Sequence, residues 1–410
     1  MMRIGRCEVC GGSNLRKALD LGSHPLCDDL VPVGDFRVPD NHPIDIAFCP
    51  ICKTAHQSFQ VPKQLLFPDS YHYRARNTAD VLNGMRQLVE RCEQQIISLN
   101  DLLVLDVGCN DGSLLSIFKQ HGAKTIGVEP TDAAADARAA GHEVYQDYFA
   151  PELAKTIVAT RGQPDIITFT NVFAHIEDLS SLLAAVRSLM SPKTLLVIEN
   201  HYLGAVLDRY QFDTFYHEHP RTYSLTSFRY IAETLGVSIV AAEFPARYGG
   251  NIRVIMQQQL DAEREAPELA GLYATEDRFE RRLYDMGRRI PAWQSAKRAS
   301  IAAAVSRHGL LVGKAFPGRA AILVKLLELD ETMVAAVYEK PGSMKIGHYV
   351  PGTRIPILSD DDFAARCNPD APLLNLAWHI SAEIEGYMRK QGYQGPIIDI
   401  FSAEEFERAT

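Results

Sequence analysis

The feature that most constrains the fold is the stretch 102–113, which reads Leu-Leu-Val-Leu-Asp-Val-Gly-Cys-Asn-Asp-Gly-Ser. Its first half is a run of apolar, partly β-branched residues, as expected of a buried strand in a parallel sheet. Gly108 and Gly112 then permit a tight turn and close backbone approach to a ligand, and Ser113 can cap a helix. The stretch therefore predicts the strand, loop and helix that open a doubly wound α/β sheet.

A second predicted strand runs from Lys124 to Glu129 and ends in a carboxylate. In a doubly wound sheet, an acid at this position holds the ribose hydroxyls of a nucleoside. A dinucleotide would require G-x-G-x-x-G, so that backbone amides can cradle a pyrophosphate. This sequence instead reads D-x-G-x-N-x-G, with acids at Asp106 and Asp111. Carboxylates there would repel a pyrophosphate but suit a sulfonium and an amino group. The stretch resembles the first motif of class I S-adenosylmethionine methyltransferases.

The alternation of strand and helix continues to about residue 258, with further strands predicted at 143–147, 165–169 and 195–199. A closing antiparallel pair is predicted at 238–243 and 251–257. Asp147 ends the third strand, where methyltransferases commonly place an acid against the adenine amino group, and Asn171 follows the fourth. The residues expected to bind S-adenosylmethionine are Asp106, Gly108, Asn110, Gly112, Glu129, Asp147 and Asn171.

Four of the eight cysteines form two C-x-x-C knuckles, Cys7 with Cys10 and Cys49 with Cys52. In a reducing compartment such spacing favours a structural four-cysteine zinc site over disulfides, an iron–sulfur cluster or a redox pair. Because four thiolates complete a tetrahedron, the histidines of this segment are expected on the surface or behind the ligands. They are His24, His42 and His56.

Charge and hydropathy exclude several kinds of partner. The net charge is −9, which argues against a nucleic-acid partner that needs a broad basic face. The N-terminus lacks an apolar signal core, and no run approaches 18 apolar residues. We therefore expect a soluble cytoplasmic protein that binds no membrane, and a monomer, since a helical stretch is the only evident association surface.

Four consecutive segments are predicted. Residues 1–75 form the zinc module, and residues 76–258 the sheet domain that binds S-adenosylmethionine. Residues 259–308 are charged, alanine-rich and helical, which indicates a bridge. From residue 309 a second, smaller Rossmann-like α/β domain runs to residue 410, with strands expected at 310–313, 332–338, 373–378 and 396–401.

The segment 215–223 reads Phe-Tyr-His-Glu-His-Pro-Arg-Thr-Tyr and places two histidines around a glutamate between aromatic residues. A metal site is one interpretation, but the spacing is not the helical one of a zinc protease. Proton chemistry is the favoured one, because an imidazole beside a carboxylate is a suitable base near neutral pH. Methyl transfer to oxygen or carbon needs such a base. His175, after the fourth strand, is placed to face both donor and acceptor.

Taken in order, these motifs resemble the nucleotide-sugar C-methyltransferases, which add a branching methyl to C3 of deoxysugars. The resemblance covers nearly the whole chain. It is carried by the four-cysteine module, the second α/β half and three motifs: Cys109-Asn110-Asp111-Gly112-Ser113, Asn171-Val172-Phe173-Ala174-His175-Ile176 and Tyr216-His217-Glu218-His219.

The resemblance implies bound zinc, bound S-adenosylmethionine and removal of a proton beside the 4-keto group of a dTDP-linked sugar. The resulting enolate carbon would attack the methyl group. His219 would then be the base and Glu218 the residue that orients it. Tyr216, His175 and Tyr73 would line the sugar and stabilise the enolate, with Tyr71 as the alternative to Tyr73.

Three departures from the family pattern concern the acceptor. Tyr248-Gly249-Gly250 replaces H-G-G, Gly313-Lys314-Ala315-Phe316 replaces G-Y-G-A, and Ala377-Trp378-His379-Ile380 replaces A-W-N-H. Since the C-terminal half helps to hold the nucleotide sugar in the family, these changes indicate an altered sugar or nucleotide, dTDP or GDP being expected. The alternatives are an O-methyltransferase acting on a sugar or other small metabolite, and a non-catalytic zinc scaffold with a vestigial donor site.

Overall fold

A computed structural model of the protein describes residues 2–67, 74–258, 269–363 and 371–409. The chain forms two compact units. Unit 1 comprises Met1–Arg16, Ala47–Val206 and Glu218–Glu280, and unit 2 comprises Lys17–Ile46, Leu207–His217 and Arg281–Thr410. None of the described helices has the length and apolar character needed to cross a membrane.

The N-terminal part of the chain contributes short strands to both units. Its elements are β1 (Met2–Arg3), β2 (Arg16–Pro25), β3 (Val31–Pro32), β4 (Asn41–Phe48), β5 (Ala55–Gln57), β6 (Phe59–Gln60) and α1 (Lys63–Leu66). In unit 1, β1 pairs with β6 in antiparallel fashion, and in unit 2, β2 lies beside β4. Both cysteine knuckles belong to unit 1, whereas the chain between them, 17–46, belongs to unit 2.

The middle of the chain supplies the main sheet. Its helices are α2 (Ala79–Ile96), α3 (Ser113–Gln120), α4 (Ala133–Ala139), α5 (Pro151–Arg161), α6 (Leu179–Leu189), α7 (Leu203–Asp208) and α8 (Leu225–Leu235). Its strands are β7 (Leu103–Val107), β8 (Lys124–Val128), β9 (Glu143–Tyr145), β10 (Ile166–Thr170), β11 (Leu195–His201), β12 (Arg221–Thr222), β13 (Ser238–Glu243) and β14 (Asn251–Gln257).

Seven of these strands form one sheet in the order β13-β14-β11-β10-β7-β8-β9. Strands β7 to β11 are parallel, and β14 runs antiparallel to β11. The doubly wound fold that the sequence predicted is confirmed. The order reverses between β7 and β10, and in such sheets ligands bind at the carboxyl ends of the strands at this switch point.

The core of unit 1 forms where the apolar face of α2 packs on the sheet. Leu88 and Val89 of α2 are fully buried, as are Val104 of β7, Val197 of β11 and Ile255 of β14. Burying several such side chains at about 1.5–3 kcal/mol each fixes the sheet, and hence the carboxyl ends of its strands.

The last part of the chain begins with two helices, α9 (Leu269–Glu276) and α10 (Phe279–His308). It continues with β15 (Leu311–Lys314), α11 (Ala320–Leu326), β16 (Val334–Glu339), β17 (His348–Tyr349), β18 (Ile357–Ser359), β19 (Leu373–Asn375), α12 (Ser381–Lys390), β20 (Ile397–Asp399) and α13 (Ala403–Arg408). A five-stranded parallel sheet, ordered β18-β16-β15-β19-β20, makes unit 2 Rossmann-like, as expected. The four segments predicted from the sequence stay a proposal.

Candidate active site and zinc centre

The two cysteine knuckles bring four sulfur atoms together. All four Sγ atoms lie within 4.8 Å of one another, with 3.3 Å between Cys7 and Cys52 and 3.5 Å between Cys10 and Cys49. A tetrahedral zinc ion with Zn–S bonds of about 2.3 Å holds its sulfurs about 3.8 Å apart. The cluster therefore has the donor atoms and nearly the spacing of a structural zinc site.

Local turns place these sulfurs. The amide of Gly11 donates to the Cys7 carbonyl and that of Lys53 donates to the Cys49 carbonyl, each at 2.9 Å, so both knuckles fold back in the same way. Contact with the Cys49 thiol and burial raise the pKa of Cys7 to about 12, although contact with the Cys52 thiol opposes that rise. The pKa of Cys52 is also raised, by contact with Cys49 and Cys7 and by burial. Four thiolates so close together require a divalent cation, which zinc supplies.

The loop after β7 has the conformation that its glycines allow. Gly108 has a φ of +73°, and a Cβ there would lie 2.3 Å from Cγ2 of Val172. Gly112 has a φ of +76°, and a Cβ there would lie 2.9 Å from the His142 ring. A side chain at either position would therefore strain the backbone and collide with a neighbouring residue, so this turn requires glycine at both positions.

Glu129 directly follows β8 and is held by main-chain amides. Its Oε2 accepts from the Asn110 amide at 3.0 Å, and its Oε1 accepts from the amide and the hydroxyl of Thr131 at 3.0 and 2.6 Å. Oε2 has one donor and thus keeps a lone pair for a ribose hydroxyl. This buried carboxylate fits the nucleoside of S-adenosylmethionine.

Asp106, within β7, is a second buried acid near Glu129. Burial raises the pKa of Asp106 to about 7, the Thr168 hydroxyl that donates to it at 2.7 Å opposes that rise, and the charge of Glu129 adds to it. Within the described part of the chain, neither carboxylate forms an ion pair. A cationic ligand such as a sulfonium would balance the negative charge of these two carboxylates, whereas a pyrophosphate would add to it.

The segment before α2 closes onto the same loop. The amide of Ala75 donates to Asn110 Oδ1 at 3.0 Å, and the amide of Arg76 donates to Asp111 Oδ2 at 2.9 Å. Arg74 pairs with Asp132 and Asp136. The side-chain oxygens of Asn110 and Asp111 thus hold residues 75 and 76 against the loop, while the backbone amide of Asn110 holds Glu129 in place.

The other two residues predicted to bind S-adenosylmethionine differ in burial: Asn171 is half-buried and Asp147 is exposed. Asn171 follows β10 with a φ of +55°, and its Oδ1 accepts from Asn251 at 3.1 Å. Asp147 lies two residues beyond the end of β9, which is shorter than predicted, and it is exposed. Its carboxylate accepts from the Tyr148 amide at 2.7 Å.

Three histidine rings meet in unit 1. The ring centre of His219 lies 4.8 Å from that of His175 and 5.1 Å from that of His201. The first histidine is in the segment 218–224, the second follows β10 and the third ends β11. Residues at the carboxyl ends of two parallel strands, β10 and β11, are thus next to His219, the predicted base.

His175 has a defined tautomer. Its Nδ1 lies 2.8 Å from the carbonyl oxygen of Glu218, and because a carbonyl only accepts, Nδ1 carries the proton. Burial lowers the pKa of His175 to about 4, so the ring is neutral near pH 7 and its Nε2 is an acceptor. The bonded carbonyl belongs to the peptide that joins Glu218 to His219, so His175 holds the main chain of the predicted base.

The remaining predicted catalytic residues stand elsewhere. Glu218 is buried in unit 1, whereas Tyr216 is half-buried and belongs to unit 2. Tyr73 and its alternative Tyr71 lie outside the described residues. His201 was not predicted as a site residue, although its place at the carboxyl end of a central strand was a usable signal.

Family models match three consecutive parts of the chain. Residues 7–67 match the model described as "Putative zinc binding domain", and residues 74–242 match "Methyltransferase domain". Residues 246–397 match "C-methyltransferase C-terminal domain".

Individual proteins are similar to this chain over different shares of its length. C-methyltransferase NovU of Streptomyces niveus is 28% identical over 387 residues, 93% of this chain and 91% of its own length. Ubiquinone biosynthesis O-methyltransferase of Rhodopseudomonas palustris is 30% identical over 112 residues, 27% of this chain and 44% of its own length. A solved magnesium protoporphyrin IX methyltransferase from Synechocystis, with bound SAM, aligns with a TM-score of 0.34 and 18% identity over 44% of this chain and 82% of its own.

The order of these parts, together with the cysteine cluster and the donor loop, excludes the non-catalytic scaffold. The near full-length similarity to a C-methyltransferase assigns the reaction class. The chain is an S-adenosylmethionine-dependent C-methyltransferase with an N-terminal zinc-binding domain.

Proposed function

We propose that the enzyme methylates a carbon beside the keto group of a nucleotide-linked 4-keto sugar, with His219 as the base. The observation that carries this proposal is the cluster of three histidine rings at the carboxyl ends of β10 and β11. A carbon beside a ketone must lose a proton before it can attack a methyl group, and an imidazole is suited to that task near neutral pH.

In the proposed reaction, His219 takes the proton from the carbon beside the ketone and becomes an imidazolium. When bound, S-adenosylmethionine supplies a methyl group on a positively charged sulfur. The new carbon–carbon bond forms as the carbon–sulfur bond breaks, with its electron pair passing to sulfur, and the ketone is restored. His219 afterwards releases its proton to solvent.

The tautomer of His175 assigns it a narrower role than the resemblance implied. A neutral ring whose Nδ1–H is already bonded to the Glu218 carbonyl cannot donate from Nε2 to an enolate oxygen. We propose that Nε2 of His175 accepts a hydrogen bond from a sugar hydroxyl, and that donation to the enolate falls to Tyr216 or Tyr73. Glu218 retains the proposed role of orienting His219.

The donor is proposed to bind at the carboxyl ends of β7 and β8. Glu129 would accept hydrogen bonds from the ribose hydroxyls, and Asp106 would face the positive charge. The bare backbone at Gly108 and Gly112 would let the ligand approach closely. Asn110, Asn171 and Asp147 complete the proposed set.

The affinity for S-adenosylmethionine is expected to weaken as pH falls through 7. Burial raises the pKa of Asp106 to about 7, and only the ionised carboxylate attracts the cationic donor. Below pH 7 the apparent Kd should therefore rise toward about tenfold per pH unit, and above pH 8 it should be constant. Calorimetric titration from pH 5.5 to 8.5 measures this.

The Asp106→Asn variant should bind the donor weakly with no such dependence on pH. Asp147→Asn, which changes an exposed acid, should keep the dependence because Asp106 remains. A flat profile in the unmodified enzyme would contradict the role assigned to Asp106.

A product analysis tests the acceptor. The enzyme is incubated with S-adenosylmethionine and a panel of dTDP-, GDP- and CDP-linked 4-keto sugars, and methylated products are examined by mass spectrometry and NMR. The proposal expects a new methyl group bonded to carbon beside the ketone in one nucleotide series. A methyl group on oxygen, or no product across the panel, would overturn the acceptor assignment while leaving donor binding intact.

A further inference from the structure

Arg221 stands two residues after His219, and its guanidinium is completely buried. Its Nη1 donates to the Glu8 carboxylate at 2.7 Å and to the Glu177 carbonyl at 3.2 Å. Its Nη2 donates to the Ile176 carbonyl. One side chain therefore joins the segment 218–224, the residues that follow His175, and the zinc module.

From Glu8 the contacts continue to the metal ligands. The same Oε2 that accepts from Arg221 accepts from Gln60 at 2.8 Å and lies 3.6 Å from Nδ1 of His56. Nε2 of the fully buried His56 lies 3.3 Å from Cys7 Sγ. A continuous series of polar contacts thus connects a zinc-binding sulfur to the segment that carries the base.

Main-chain contacts run beside this series. Strand β12, which begins at Arg221, pairs with β5, and the Gln57 amide donates to the Pro220 carbonyl at 2.8 Å. The hydroxyls of Ser224 and Ser227 donate to the carbonyl of the zinc ligand Cys52 at 3.2 and 3.1 Å. The segment 218–224 is therefore held on the zinc module at both its middle and its end.

We propose that Arg221 is a positioning residue, through which the zinc module fixes the main chain that carries Glu218 and His219 relative to His175. This inference rests on the proposed role of His219. A buried ion pair is weak evidence for stability, because desolvation offsets the attraction between the charges. The geometry of the Arg221 hydrogen bonds is specific, however, because a planar guanidinium can donate to a carboxylate and two carbonyls at once.

The Arg221→Lys variant tests the proposal, because lysine keeps the charge but lacks the planar array of donors. In the full-length, zinc-loaded protein, amide hydrogen exchange over 175–178 and 218–224 should accelerate about tenfold. On the sugar nucleotide found by the panel, kcat should fall about 10–100-fold, more than KM rises, since misplacing a base costs rate rather than binding. Glu8→Gln should show the same pattern more weakly.

Zinc content and the Kd for S-adenosylmethionine should remain unchanged in both variants. Arg16→Lys is the control, because the Arg16 side chain is exposed and pairs with Glu280 rather than with 175–178 or 218–224. Unchanged exchange over 218–224 in Arg221→Lys would overturn the proposal. Equal acceleration across Cys49–Cys52 with loss of zinc would also overturn it, because Arg221 would then serve the folding of the module.

The amide hydrogen exchange measurement requires no sugar acceptor. It therefore tests the positioning role of Arg221 separately from the proposed substrate. Accelerated amide exchange in Arg221→Lys, with an unmodified enzyme that turns over no sugar of the panel, would support the positioning role while refuting the proposed substrate. Normal exchange with full turnover in Arg221→Lys would refute the positioning role alone.

Discussion

Replacing His219 by alanine is expected to lower kcat by about 10²–10⁴-fold, the range that a general base contributes. The ring of His219 lies 4.8 Å from that of His175, which follows β10, and 5.1 Å from that of His201, which ends β11. The carboxyl ends of these strands are where doubly wound sheets bind ligands. The Kd for S-adenosylmethionine should stay within about twofold, because the proposed donor contacts come from the ends of β7 and β8. Single-turnover kinetics and calorimetry together measure both effects.

His217 provides a matched control two residues earlier. It is buried, its Nε2 donates to the His42 carbonyl at 3.0 Å, and burial lowers its pKa to about 4. This histidine therefore has a structural partner and no proposed role in proton transfer, and His217→Ala should keep most of the turnover of folded enzyme. An equal loss in both variants, or loss of donor binding in His219→Ala, would make His219 a structural residue.

Loss of zinc is expected to unfold the N-terminal module and to inactivate the enzyme. Structural zinc contributes about 10–16 kcal/mol of apparent binding free energy in small zinc domains, as much as the whole stability of many proteins. The Cys52→Ser variant, which changes a fully buried ligand, should lose the metal and expose 1–16 and 47–67 to proteolysis. Metal analysis and limited proteolysis measure these effects.

The segment 218–224 should lose its order in the same variant, because Ser224 and Ser227 bond to the carbonyl of Cys52 and β12 pairs with β5. Cys92→Ala is the control. Cys92 is equally buried, but it packs among the apolar residues of α2 and the sheet and not beside the four zinc-binding cysteines. A Cys52→Ser protein that keeps one zinc per chain and the same proteolysis pattern would contradict the zinc assignment.

Local patterns predicted much of unit 1 correctly. The antiparallel pair matches β13 and β14 at its ends, because Gly249 and Gly250 mark the turn between two apolar runs. Strand β7 and its glycine loop were evident because a buried parallel strand needs continuous apolar residues and the turn needs positive φ. The C-x-x-C spacing likewise fixed the sulfur cluster, since each knuckle is a local turn.

Contacts between distant segments could not be predicted in this way. Arg221 meets Glu8 across more than 200 residues, and no periodicity encodes that meeting. The segment 17–46 joins unit 2 although its flanking knuckles belong to unit 1, because local composition does not reveal which core covers a strand. Strand β18 was missed, since three residues after a proline carry too little alternation to be recognised.

Solvent proton exchange tests the proposed enolate chemistry most directly. The enzyme is incubated in deuterated water with each nucleotide-linked 4-keto sugar, without S-adenosylmethionine, and the sugar is examined by mass spectrometry and NMR. The expected result is deuterium at the carbon beside the ketone, formed by the unmodified enzyme and not by His219→Ala, in the same sugar that gains a methyl group when the donor is added. Methylation of a sugar that never exchanges that proton would contradict an enolate and point to oxygen as the acceptor.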